Sequence, residues 1–598
     1  MYPGVLLAAW RAFMHAGERE QGVAFGVLPV VKKCSSGSAF RLRALPLSES
    51  PVVEVKSLTE VELKFLVPSA ARLHLATEMA RGSARLRRLS LASMYLDTDD
   101  RRLAREGIAW RLRREGRRWI QTLKAGGTNA LERFEHEVVR PDASHDAAQH
   151  SGTSVGNHLV ALLRHAHADG LEPKVRFQIQ VRRTTRRIRT RGAVVEVAYD
   201  EGRLLAAGSA ERICEIEFEL LAGSAAAMLA LVERWRSRFG LIYEPRSKAE
   251  RGDLLTDGKP FPPPRKASRP RFSSDATATE AFGAVLDECL AQVTRNAIGL
   301  IQGDPALRTE HVHQLRVGIR RMRSAVRCFQ GWTNALPMEL LDGLRSLFAT
   351  LGMARDSDVL SSGVAAELAK VGAPPLVLPT VVGGSDPVEA VRASDAQRTF
   401  LAWIAWRAAL HDESVDESGA VASGPQSKDA QLTDSETQRS NDQPPKGESR
   451  ARQNPVGKSN AIVTARDNPR KFHGNIERRL RRWHLHFLAD WKSFDELDED
   501  CLHALRKRIK RQRYALEFFA PVLSRRKVER YLRAVAPIQD RMGELNDLFV
   551  ARTRYQLLVD ADPAAWFALG WLAARIAEVR AQAKPELERL AKAKPPAM

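Results

Sequence analysis

A chain of 598 residues is long enough for several domains, each burying its own core. Its 93 lysines and arginines against 72 aspartates and glutamates leave a formal net charge of +21, which calls for a polyanionic partner: nucleic acid, an acidic membrane surface or polyphosphate. Aromatics at 7% offer little material for stacking single-stranded bases, and arginines interrupt every apolar run before it reaches the roughly 18 residues of a membrane span.

The opening MYPGVLLAAWRAF has no basic segment before its apolar part and no small-residue cleavage site after it, so residues 1–55 read as a disordered or uncertain extension. Cys34, Cys214, Cys289, Cys328 and Cys501 are scattered without a CxxC or a metal-ligand spacing; reduced thiols in a cytoplasmic protein are expected. From 56 to 255 short runs alternate apolar with charged residues: VELKFLV, IAWRLRR, RWIQTLK, RFEHEVV, AVVEVAYD and ICEIEFEL. Period two is the strand signal, and its repetition predicts an antiparallel sheet or barrel, with helices at 69–81 and 223–239. Residues 256–275, rich in Pro, Gly and Ser, predict a linker.

From 276 to 410 and from 472 to 598 the apolar period becomes 3.6, which predicts helical bundles. Between them, residues 411–470 are polar and nearly free of aromatics, a composition that cannot offset chain entropy by burial; a disordered insert is expected. EHVHQLRVGIRRMRSAVRCFQ (310–330) and DCLHALRKRIKRQRYALEFFA (500–520) align without a gap at an offset of 190 residues, followed by LGMARDSDVL (351–360) and MGELNDLFVA (542–551). A duplicated helical unit accounts for this. The predicted fold class is therefore α+β, a β-barrel followed by an all-α domain of two repeated halves.

In TEVELKFLV, Glu60, Glu62 and Lys64 share one strand face. Other strands repeat the device with Arg111 and Arg113, Gln121 and Lys124, Arg133, Glu135 and Glu137, and Glu215, Glu217 and Glu219. A solvated outer face is the plain reading of any one strand. The segregation of sign by strand favours the other reading, a barrel interior with carboxylates on some walls and cations on others. Such an interior suits a polyphosphate held through a divalent metal, with hard carboxylate oxygens for the ion and Arg and Lys for the phosphate. That many charges inside a barrel also need a counter-charge.

EVELK resembles the ExExK signature of the CYTH superfamily, the triphosphate tunnel metalloenzymes. MYLDT (94–98), WRLRR, TLKAGG, RFEHEV, VVEVAYDEG, CEIEFEL and EPRSKAERG follow in the family's order over about 58–255. The resemblance implies an eight-stranded antiparallel tunnel that binds triphosphate substrates with Mg²⁺ or Mn²⁺. It implies metal-binding and catalytic roles for Glu60, Glu62, Glu215 and Glu217, with Glu219 beside them on the metal wall. Lys64, Arg111, Arg113, Lys124, Arg133, Arg183 and Lys248 are implied as phosphate-binding cations. Arg182 is the rival of Arg183, and strand parity favours Arg183. Asp200 fits the family pattern or, before a glycine, reads equally as a turn residue. In this implied mechanism the ion neutralises phosphate charge, the cations stabilise the transferring group, and a glutamate positions the water.

His313, Arg316, Arg320 and Arg323 or Arg327 recur at intervals of three and four, and His503, Arg506, Lys510 and Arg513, with Lys507 nearby, repeat the stripe. HQLRVGIRRMRSAVRCF and the following RDSDVL resemble the CHAD domain, a conserved histidine α-helical domain of two such halves; Asn546 replaces the arginine of RDSD in the second copy, and Asp547 keeps the acid. The resemblance implies that the basic helices bind inorganic polyphosphate. Asp356, Asp358 and Asp547 read as ion-pair partners of those helices, and a metal role for His313 and His503 is disfavoured because neither has a second ligand at i+4. The expected function is hydrolysis of inorganic triphosphate, with polyphosphate bound by the helices and association with polyphosphate granules. Thiamine triphosphate hydrolysis, ATP cyclisation and non-enzymatic polyphosphate binding are the alternatives. Nonspecific, salt-sensitive binding to nucleic acid is also expected, and no membrane partner.

Overall fold

The computed structural model of the protein describes residues 59–81, 86–127, 129–333, 336–359, 363–376, 386–416 and 469–596, and at 353–359, 411–416 and 469 the helical backbone alone. The readings of residues 1–55, of the bulk of the insert, and of the Asp356 and Asp358 side chains lie outside the described residues. Among the described residues no helix is long and apolar enough to cross a membrane.

Strands β1 (Thr59–Leu66), β2 (Arg87–Asp97), β3 (Ile108–Glu115), β4 (Arg118–Gly126), β5 (Glu132–Arg140), β6 (Lys174–Thr190), β7 (Ala193–Ala206) and β8 (Ser209–Gly223) form one antiparallel sheet in the order β5-β4-β3-β2-β6-β7-β8-β1. Pairing of β1 with β5 closes it into an eight-stranded barrel, and the two-residue β9 (Ile242–Tyr243) adds onto β1. Its helices are α1 (Arg72–Ala80), α2 (Ser154–Ala168), α3 (Ala225–Phe239) and α4 (Lys248–Thr256). The sequence reading of strands 56–255 did not include α2 or α4. The signal for α2 was present in Thr153, whose hydroxyl caps the Gly156 N–H.

Apolar residues point outward here. Val195, Val197, Tyr199, Ile216 and Phe218 leave the barrel to pack on Met228, Leu231, Val232 and Trp235 of α3. Trp110, Leu112 and Leu123 do the same against Leu159 of α2. Covering those faces with helices turns the alternate, charged residues inward, so the plain reading of a solvated charged face does not hold. One end of the interior is apolar instead: Tyr95, Phe177, Ile179, Val181, Leu204 and Ile213 enclose Leu255 of α4. α4 plugs that end so tightly that a Cβ on Gly252 would stand 2.2 Å from the Phe177 ring.

The helical part comprises α5 (Ala278–Gln302), α6 (Arg308–Phe329), α7 (Met338–Val359), α8 (Ser394–Asp416), α9 (Pro469–Lys492), α10 (Glu499–Phe518), α11 (Arg525–Gln556) and α12 (Ala565–Lys592), with shorter turns between. α5 opens with a full capping box between Thr277 and Glu280. α8 packs on α5 and α7 as α12 packs on α9 and α11, and α6 meets α10 between the halves, the arrangement expected of a duplicated unit. One hydrophobic core runs through both. α8 extends to Asp416, six residues into the expected insert, because a helix anchored by Phe400 and Trp403 adds one hydrogen bond for each further residue it fixes. The linker is strapped down: the Arg265 N–H donates to Asn296 Oδ1 at 3.1 Å, and Arg321 donates to the Ser268 carbonyl at 2.8 Å.

Candidate active site: a barrel lined with opposed charges

Cross-strand register places the charged residues on one inner surface. Lys64 stands opposite Glu217 and Glu62 opposite Glu219 between β1 and β8, Asp200 opposite Glu215 between β7 and β8, and Arg183 opposite Asp200 between β6 and β7. Lys124 of β4 faces Glu135 of β5. Asp200 is thus mid-strand and fully buried, not a turn residue. Arg183 points in and Arg182 out, as parity favoured; Arg182 is 72% exposed, with a long 3.5 Å pair to Glu201.

Two charge clusters result. In the first, Lys248 Nζ lies 2.8 Å from Asp200, 2.5 Å from Glu215 and 2.7 Å from Glu217. Arg183 binds Asp200 through Nε and Nη2, each at 2.7 Å, and Glu217 at 2.6 Å. Arg251 of α4 adds 2.8 Å to Glu215. Burial alone would raise the carboxyls of Asp200 and Glu217, but Arg183 and Lys248 hold both below the usual range, Glu217 far below. Lys248 and Arg183 are pushed up in return against the cost of burial. Lys64 donates to the Arg246 carbonyl, and burial lowers its pKa although Glu215 opposes this.

In the second cluster Lys124 contacts Glu135 and lies 3.7 Å from Glu60. Burial and the hydrogen bond it donates to Glu135 push Glu60 up to about 8, while Lys124 and that same bond carry Glu135 well below normal despite burial, so the pair holds one proton, on Glu60. Arg111 lies 3.6 Å from Glu135 and 3.8 Å from Glu137; Arg113 sits 2.7 Å from Glu115 and 3.1 Å from Glu137. Arg133 contacts Glu62 at 2.5 Å. Every phosphate-binding cation expected from the sequence therefore lies in the barrel interior, and Glu135, Glu137, Asp200 and Arg251 join them without having been assigned roles.

Among the described residues, Asp200, Glu215 and Glu217 are the group whose oxygens, one from each, all lie within 4.8 Å of one another, a spacing that suits a hard divalent cation. Glu215 Oε1 is buried without a hydrogen-bond partner; Lys248 approaches it as an ion pair, off hydrogen-bond geometry, which leaves acceptor capacity for an ion. Glu60, Glu62 and Glu219 lie on the same inner surface against other neighbours.

Residues 58–252 match the family model of the CYTH domain, and residues 284–556 that of the CHAD domain. The chain is a CYTH–CHAD protein. An inorganic triphosphatase of Haemophilus influenzae is 26% identical over 202 residues, which make up 33% of this chain and 55% of that protein, so the chain spans about half the length of this curated relative. Of solved structures, the CHAD domain from the plant Ricinus communis is 25% identical over 56% of this chain and 98% of its own, with a TM-score of 0.39. The crystal structure of an inorganic triphosphatase is 20% identical over 29% of this chain and 78% of its own, with a TM-score of 0.14.

In the CHAD domain the two histidine-arginine stripes meet. Phe348 of α7 carries the first stripe, with Arg316, Arg320 and Arg323 at 4.7, 5.8 and 5.9 Å from its ring centre. Arg320 stands close enough to Arg506 and Lys510 of α10 to depress both, after burial, and it is burial together with Arg506 and Arg320 that brings Lys510 down to about 7. The Nε atoms of Arg320 and Arg506 are buried without hydrogen-bond partners. Asp547 is the acid beside Arg506 and Lys510, and His503 Nδ1 pairs with Asn546 Oδ1 at 3.1 Å. Arg513 is drawn aside to Glu517 and Gln539, and His313 lies on the half-buried side of α6.

Proposed function

We propose that the CYTH barrel hydrolyses inorganic triphosphate to pyrophosphate and phosphate with Mg²⁺ or Mn²⁺, in the cytoplasm, and that the CHAD groove binds polyphosphate. The observation that carries this reading is that the carboxylate wall of Asp200, Glu215 and Glu217 shares one barrel interior with Lys64, Arg111, Arg113, Lys124, Arg133 and Arg183. A bound divalent ion would be held by that wall and would neutralise phosphate charge. The arginines and lysines, now satisfied by carboxylates, would exchange those partners for phosphate oxygens. Arg183 and Lys248, which span the wall, would stabilise charge on the terminal phosphoryl group. Water forms the new P–O bond to the terminal phosphorus, its proton passes to the carboxylate wall, and the bridging oxygen leaves with pyrophosphate.

The interior also favours a substrate made of phosphate alone. Its stacked aromatic pair, Tyr95 and Phe177, is taken up by Leu255 and Gly252 of the plug, so these rings offer no free face to adenine or thiazolium. Steady-state phosphate release from triphosphate, ATP and thiamine triphosphate, with Mg²⁺ or Mn²⁺, beside Glu215→Gln in the carboxylate wall, tests this reading. Preferred release from triphosphate that Glu215→Gln abolishes is expected. Turnover of ATP or thiamine triphosphate alone would move the substrate, and no metal-dependent turnover would leave a polyphosphate-binding protein.

For the groove, polyphosphate affinity is expected to fall as pH rises from 6 to 8.5. Lys510 titrates near 7, so above that pH it is neutral in the free protein, and binding a polyanion must take up its proton. The fall is at most tenfold per pH unit for one group. Lys510→Arg, charged throughout, should flatten the profile; an unaltered slope in that variant would remove Lys510 from the binding site.

A further inference from the structure

The barrel segment 242–256 carries the residues that reach furthest into the carboxylate wall, and the CHAD domain holds it from outside at three points. The Tyr243 N–H donates to the buried Gln397 of α8 at 2.9 Å. Arg246, whose carbonyl receives Lys64 and whose guanidinium forms a buried pair with Glu244, donates to Gln302 at the end of α5. Glu250 of α4 receives both Nη atoms of Arg295 of α5, Nη2 at 2.8 Å. Beside these, Ile298 and Ile301 of α5 pack on Leu66 and Ile242.

α4 therefore has two working faces. Lys248, Arg251, Gly252 and Leu255 face the barrel, contacting Asp200, Glu215, Glu217 and Phe177. Glu250 faces the CHAD domain, and the fork of Arg295 fixes it in two directions, as a bidentate guanidinium–carboxylate pair does. A short nine-residue helix has little rigidity of its own, so its rotation and depth in the barrel follow its contacts.

We propose that Arg295 is a positioning residue for the tunnel: through Glu250 it sets where Lys248 stands in the carboxylate wall, so that the CHAD domain takes part in turnover. This rests on the triphosphatase reading above. It goes beyond that reading, because it makes the rate in the barrel depend on a side chain of the neighbouring domain that touches neither substrate nor ion.

The test uses the full chain with Arg295→Gln, Arg295→Lys, Glu250→Gln and the double variant Arg295→Gln/Glu250→Gln. Arg295→Gln should lower kcat for triphosphate by about tenfold with KM changed less, the size typical of a lost outer-shell partner. Polyphosphate affinity of the groove should be unchanged. Arg295→Lys should recover part of the loss, and the double variant should lose no more than Glu250→Gln alone, the signature of one shared contact. Mere destabilisation would lower the folded fraction and give additive losses. Wild-type kcat in folded Arg295→Gln, or additive losses in the double variant, overturns the proposal. A wild-type chain without turnover overturns the triphosphatase reading only. The grip is then decided by calorimetric affinity for tripolyphosphate in an Arg320→Ala/Arg506→Ala background: Arg295→Gln lowers it if Lys248 is positioned through Glu250, and unchanged affinity refutes the positioning role.

Discussion

In Glu217→Gln, phosphate release from inorganic triphosphate is expected to fall by roughly two to three orders of magnitude in kcat while apparent substrate affinity holds or improves. Glu217, like Asp200, is gripped by both Arg183 and Lys248, here at 2.6 and 2.7 Å, and its oxygen completes the group with Asp200 and Glu215. The glutamine keeps the shape and removes one hard oxygen ligand together with one negative charge. Losing the ligand weakens the hold on a divalent ion; losing the charge frees Arg183 and Lys248 for phosphate. Rate and affinity should therefore move apart, which general damage to the barrel would not produce. A Mn²⁺ titration of steady-state release, beside calorimetric binding of tripolyphosphate, reads both quantities. Unchanged kcat at saturating Mn²⁺ would take Glu217 out of the reaction.

The second large effect concerns stability. Lys248→Met leaves Asp200 and Glu215, both fully buried, without the cation that they share with Glu217. Breaking a buried ion pair on one side costs about 3–5 kcal/mol, because the remaining charge has neither water nor partner. Arg183 and Arg251 stay behind and should hold the loss toward the lower end of that range. Divalent ions should then return much of it: a ligand at 100 times its dissociation constant stabilises by about 2.7 kcal/mol. In the wild type the same ion should stabilise less, since it displaces Lys248 to bind. Calorimetric unfolding with and without Mn²⁺ compares the two chains. A Lys248→Met protein that unfolds like the wild type without metal, and gains nothing from Mn²⁺, would show that these carboxylates do not form the ion site.

Much of the barrel was legible because the strand period is local. The alternation in TEVELKFLV and EIEFE puts Glu60, Glu62 and Lys64, and Glu215 and Glu217, on common faces wherever those strands sit. Period two names two faces without saying which is inside. That was decided when α3 covered Val195, Val197 and Phe218, a contact between segments far apart in sequence. Asp200 shows the same limit at one residue. The local signal of an acid before a glycine favours a turn, whereas β7 runs through it because β6 and β8 pair on both sides. α2 had a cap and a repeating apolar face at Leu159, Leu162 and Leu163, but it is set among strand runs.

The CHAD stripes divide likewise. Their spacing and duplication are written in the chain, since a helix face depends on i+3 and i+4 alone. That Arg320 and Arg506 approach each other closely enough to lower the affinity of Lys510 for its proton depends on α6 meeting α10 across the two halves. Arg295 left no signal at all: it is one arginine in an apolar helix, and only the packing of α5 against α4 places it on Glu250. By itself the sequence determined the elements, the repeat and the shared faces of charge, because those follow from backbone periods spanning a few residues. Only the tertiary structure decided which faces turned inward and which charges were taken from water to meet, because burial and ion pairing depend on neighbours the chain brings from afar.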